Sequence, residues 1–102
     1  MLANHIAWAA GLFEGEGTMY MSGKKPVMEI GMTDRDVIER YKDFAECGWI
    51  RTKIRPHPWK TMYIHRTNGR HLITEILEAF LPYFGDRRAH KALDILDSLE
   101  CS

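Results

Sequence analysis

Two glutamates separated by one glycine, in Glu14-Gly15-Glu16-Gly17, close a run of mostly small and apolar residues that begins near Asn4. The run reads as a helix capped by Asn4 and stopped near Glu14 by Gly15 and Gly17, so both carboxylates fall where the helix ends. Glycine beside each acid permits unusual backbone angles and the close approach of a partner or a phosphate. At roughly 100° per residue, Ala7, Ala10, Gly11 and Glu14 share one narrow face of small side chains, with Ile6, Ala9 and Phe13 opposite. Small residues three and four apart let two helix backbones come close. A helix too short and too polar at its end to span a bilayer would use that face on its own copy.

Two copies side by side would bring both Glu16 carboxylates together near the axis, where like charges repel unless a cation joins them. Mg2+, with Mn2+ as a substitute, suits the place. It takes one or two carboxylates, keeps several waters and accepts phosphate oxygens. A metal so held can activate water and stabilise a leaving oxygen, the chemistry of phosphodiester hydrolysis. The plainer reading is a buried helix with an alanine-rich side.

The elements that must position this helix follow from periodicity. Residues 17–22 alternate as a strand, Gly23-Lys24-Lys25-Pro26 turns the chain, and 27–32 is a second strand. A helix capped by Thr33 or Asp34 carries Val37, Ile38, Tyr41, Phe44 and Ala45 inward and ends at Gly48. Residues 49–55 make a third strand, Pro56-His57-Pro58 breaks it, and 60–67 is a fourth. A helix with Leu72, Ile73, Ile76, Leu77, Phe80 and Leu81 on one side follows, closed by Pro82 and Gly85. The last helix starts at Asp86, with Ala89, Ala92, Leu93 and Leu96 inward. The expected class is α+β, αββαββα plus a terminal helix, with a four-stranded antiparallel sheet covered by helices on one face.

The other face would be open, and the period of two selects its side chains. Thr18, Tyr20 and Ser22, then Glu29, then Arg51, Lys53 and Arg55 point outward. In the fourth strand Met62 and Ile64 fit the core, leaving Thr61, Tyr63 and His65 outside. A polar, basic and aromatic ribbon fits the major groove of DNA, where Arg reads guanine and Glu29 could accept from a cytosine amino group. A solvated face would also alternate, but would mix acids with bases. The three tryptophans, Trp8, Trp49 and Trp59, read as packing residues.

Bulk properties agree. The 102 residues leave room for one domain, and 45% apolar content supports a core. Net charge is zero, yet residues 51–71 hold six Arg or Lys, three His and no acid, a basic surface inside a neutral total. The two cysteines, Cys47 and Cys101, have no metal-site spacing and suggest a reducing, cytoplasmic setting. No segment is long enough for a membrane span.

Residues 9–17, AAGLFEGEG, resemble the LAGLIDADG motif position by position, with glutamates for both aspartates. The element order and the tail from Leu81 to Leu93 look like the same family, and one motif implies its homodimeric branch. The resemblance implies a homing endonuclease that cuts double-stranded DNA at a pseudo-palindromic site. Glu16 would be the metal-binding acid with the Gly15 carbonyl close by, and Glu14 would tie the two helix ends together across the dimer. Thr18, Tyr20, Ser22, Lys24, Glu29, Arg51, Lys53 and Arg55 fall where the family places DNA contacts. The family's lysine before the last helix falls near Gly85, which leaves Arg87 and Arg88 as substitute cations, although Arg is a poor proton carrier. Met32 and Asp36 also depart from the pattern. A nuclease-dead nucleic-acid-binding relative, such as a splicing helper or regulator, is the alternative, and a protein-interaction module using the open sheet is the third reading.

Overall fold

The computed structural model describes residues 3–100. Helix α1 (Ala3–Glu16) leads into strands β1 (Gly17–Ser22) and β2 (Lys25–Met32), then α2 (Arg35–Ala45), β3 (Trp49–Lys53) and β4 (Met62–Asn68). Helix α3 (Arg70–Phe80), a 3-10 turn (Leu81–Tyr83) and α4 (Asp86–Glu100) complete the order. The strands form one antiparallel sheet in the order β1-β2-β4-β3, so the two hairpins meet through β2 and β4. The helices pack against one face of it. The α+β class and the chain order match the expectation.

The core lies between that face and the helices. Phe13, Phe80, Ile38, Ile73 and Leu77 are fully buried, with Met28, Ile30 and Met19 rising from the sheet. Phe13 sits 6.0 Å from the ring of Phe80 and 6.2 Å from Phe84, so the rings join α1 to α3 and to the segment that precedes α4. Such pairs add roughly 0.5–1.5 kcal/mol each beyond burial. Phe13 also explains Gly17: a Cβ there would lie 2.5 Å from its ring. The glycine serves close packing, and neither Gly15 nor Gly17 has a positive φ.

Several sequence expectations need correction. Helix α1 starts at Ala3, so Asn4 is inside it, and it runs on through Glu16. Ala10 belongs to the chain's own core and is fully buried beside Ala9. In α4 Ala92, Ile95 and Leu99 are buried and Leu96 packs against the core as expected, while Leu93 is exposed. Trp49 and Trp59 are exposed, because β3 is an edge strand and the loop after it stands away from the core. Cys47 is a half-buried free cysteine, and Cys101 lies outside the described residues. Among the described residues, no helix is long and apolar enough to cross a membrane.

Candidate nucleic-acid interface

The two glutamates at the tip of α1 have opposite fates. Glu14 accepts a hydrogen bond from the Gly85 amide and another from Arg88 Nε at 3.0 Å. Arg88 Nη2 donates to the Glu14 carbonyl at 2.9 Å and Nη1 to the Gly17 carbonyl at 2.7 Å. One guanidinium therefore caps the C-terminal end of α1, where carbonyls lack intrahelical partners and a cation suits the dipole. The Gly85 amide foremost, with Arg88 beside it, holds the Glu14 carboxyl below its ordinary range against the opposing effect of burial. A Cβ at Gly85 would lie 2.9 Å from the tip of the Glu14 carboxylate, which would have to shift to admit a side chain there. Glu14 is thus engaged inside its own chain, not across a dimer as expected. Arg88 is committed to the same cap, which removes it from the cations available for chemistry.

Glu16, two residues on, is exposed and has no partner among the described residues. It borders a hollow of about 270 Å³ on the open face of the sheet, with Thr18, Tyr20, Glu29, Gly31, Met62 and Ile64. Thr18 also borders a second cleft of about 510 Å³, whose other wall includes Arg87, His90 and Lys91 of α4. Glu16 and the basic start of α4 therefore stand on either side of Thr18. The donor set at the tip fits half of a magnesium site: the free Glu16 carboxylate and the Gly15 carbonyl, leaving room for water and phosphate oxygens. Among the described residues no three His, Cys, Asp or Glu side chains come together as a complete site.

On the open face, Glu29 is a meeting point. Tyr20 donates its hydroxyl to Glu29 Oε1 at 2.9 Å, Arg51 Nη2 lies 3.6 Å from Oε2, and Arg66 Nη1 lies 3.7 Å from Oε1. The hydrogen bond to Glu29 raises the Tyr20 pKa above its ordinary value, so the phenol stays a donor. Ser22 and Lys24 are exposed at the β1–β2 hairpin, and Lys53 is exposed where β3 ends. Arg55 lies beyond β3; its Nε donates to the Lys60 carbonyl at 2.8 Å and its guanidinium lies 5.9 Å from the Trp59 ring, so it organises the β3–β4 loop. Thr61 precedes β4 and is half-buried.

The outward set expected in β4 is reversed. The register pairs Ile30 with His65 and Met32 with Tyr63, so both turn toward the helices. His65 is 1% exposed, its ring 5.2 Å edge-on to Tyr41 and its Nε2 2.8 Å from the Cys47 carbonyl. Burial holds it below its usual pKa. Tyr63 is half-buried against the core, with the Arg35 guanidinium 5.7 Å from its ring. Met62 and Ile64 instead face the open side and fill the space above Gly31, 3.2 Å from where its Cβ would be. Arg66 joins them there, a groove residue that sequence reasoning missed. Its charge was the available signal: Arg66 shares the parity of Ile64, and a guanidinium has no place against the helix-covered core.

The chain is similar in structure to several solved nucleases. It superposes on the homing endonuclease I-CvuI, solved with its target in the presence of Ca, with a TM-score of 0.77 at 18% identity, covering 96% of this chain and 67% of that one. For the homing endonuclease I-TnaI the TM-score is 0.70 at 19% identity, covering 97% and 71%. For the LAGLIDADG meganuclease I-AabMI, bound to uncleaved DNA, it is 0.72 at 19% identity, covering 92% and 36%. No family model and no curated protein matches the sequence. The chain therefore has the LAGLIDADG homing-endonuclease fold, and is shorter than each of these proteins.

Proposed function

We propose that a chain with this fold and this free acid is a site-specific endonuclease of double-stranded DNA, acting with Mg2+ as a homodimer on a pseudo-palindromic site. The observation that carries this reading is the division of labour at the α1 tip. Glu14 is engaged by Gly85 and Arg88, whereas Glu16 is exposed at the rim of the polar sheet face with no partner among the described residues. I-CvuI, I-CeuI and I-AabMI, which share the fold, were each solved with DNA.

The outer side of α1 supports the dimer. Ala7, Gly11 and Gly15 are exposed at four-residue spacing, and a Cβ at Gly11 or Gly15 would meet nothing within 4 Å. A second copy laid along that side brings two Glu16 carboxylates to one place. Each Glu16, with the Gly15 carbonyl, would hold the metal, and Mg2+ or Mn2+ bound there would supply Lewis-acid activation of water and charge neutralisation at the leaving oxygen. Thr18, Tyr20, Ser22, Lys24, Arg51, Lys53 and Arg66 hold the duplex by phosphate and base-edge contacts. Of the two arginines that open α4, Arg87 is the exposed one and acts near the scissile phosphate by charge alone.

A second reading has its own observation. Gly85 stands where the family's lysine is expected, and Arg88 is bound up in the cap, which favours a chain that binds duplex without cutting it. Selection of cleaved sequences from a random duplex library, with Mg2+ and with Ca2+, separates the two and reports site symmetry. Glu16→Gln should lower Mg2+-dependent cutting by about 10²–10³-fold or more while leaving duplex affinity largely intact. Undiminished cutting by the variant removes the assignment of Glu16.

A further inference from the structure

We propose that Glu29 sets the sequence selectivity of the groove by neutralising Arg51 and Arg66 until a G·C pair meets it; this rests on the DNA-binding reading above. Among the strand residues that face away from the helices, Glu29 is the one acid among Arg51, Lys53, Arg66 and Lys25. It is also half-buried and held in place: the Tyr20 hydroxyl fixes Oε1, while the two arginines approach from the β3–β4 side at 3.6 and 3.7 Å. Those distances are those of ion pairs rather than saturated hydrogen bonds. The Nη donors facing Glu29 therefore remain open, and the buried Arg66 Nε has no hydrogen-bond partner among the described residues.

Two consequences follow. An arginine already facing a carboxylate releases less counterion from DNA, so Glu29 weakens attraction to any duplex regardless of sequence. Across the major groove a G·C pair offers two guanine acceptors and then the cytosine amino donor, whereas an A·T pair offers acceptor, donor, acceptor. Arginine donors beside one carboxylate acceptor complement the first order and clash with the second. Glu29 then accepts from the cytosine amino group as an arginine turns to guanine O6 and N7. Affinity is withheld from random sequence and restored at one base pair in each half-site.

Glu29→Gln tests this, since glutamine keeps the size and an acceptor for Tyr20 while losing the charge. Binding is read by fluorescence anisotropy on a random-sequence duplex and on the selected site, over a series of salt concentrations. The variant should bind random duplex several-fold to about tenfold more tightly, with a salt slope steeper by about one unit for each arginine released. Replacing the selected site's base pairs one at a time should show one G·C position per half-site that the wild type discriminates and Glu29→Gln does not. Arg66→Gln is the second variant, and should lose discrimination at that position with no gain on random duplex. A wild type that binds while both variants match it in slope and base preference overturns the inference alone. A wild type that binds no duplex overturns the function proposed above, and the inference with it.

Discussion

The α1 tip and the groove centre are built from the same parts, a glutamate, arginine and a neutral donor, and differ in how fully those parts satisfy one another. At the tip, Arg88 makes three hydrogen bonds of 2.7–3.0 Å to Glu14 and two main-chain carbonyls, and its side chain is 14% exposed. In the groove, Arg51 and Arg66 stand 3.6 and 3.7 Å from Glu29, with side chains 51% and 32% exposed. Saturated, short and buried contacts hold elements together. Long, exposed ones leave donors available to something else. Glu16 extends the contrast, being two residues from the Arg88-bound Glu14 yet without a partner among the described residues.

The sharpest way to break this comparison is Arg88→Ala. It leaves two carbonyls and one oxygen of the Glu14 carboxylate without donors, so unfolding free energy should fall by about 2 kcal/mol, with the surface-screened part of the ion pair already discounted. Chemical denaturation measures it, and a change near zero would deny the tip its structural role. Arg51→Ala should do the reverse. Duplex binding should weaken by about 1 kcal/mol or more, or lose about one unit of salt slope if the residue meets phosphate, while stability stays within about 0.5 kcal/mol. If both variants lose stability and neither loses DNA, the two regions are alike.

The smallest effect is a pH dependence. Burial holds His65 below its ordinary value of 6.5, so as pH falls through that value the unfolded chain takes up a proton that the folded chain resists. Stability is therefore full above about 6.5 and declines toward the lower folded value. Glu14, held below its ordinary 4.5, adds stability that is present above that value and lost as pH falls through its folded one. The first decline should vanish in His65→Gln, whose amide can still donate to the Cys47 carbonyl. A wild-type stability that stays flat from about pH 7.5 to about pH 5.5 would contradict the burial of His65.

Local pattern determined most of the fold. The alternation in β1 and β2, the three- and four-residue spacing of Ile38 and Tyr41 and of Ile73, Ile76 and Phe80, and the glycine-bounded turns each follow from short-range stereochemistry that one segment carries alone. The helix ending in Glu14 and Glu16 was legible for the same reason. What the sequence left open were choices between segments. Alternation fixes which residues share a side of β4 but not which side meets the helices, and Met62 and Ile64 are apolar enough to mislead. The register with β2 and the Tyr41 and Cys47 partners of His65 settle it, pairing residues 24 and 18 positions apart. Likewise nothing in Glu14-Gly15-Glu16 says which acid is consumed. Arg88 and Gly85 decide that from 74 and 71 residues away. Which charges satisfy each other is a property of distances that exist only once the chain has packed.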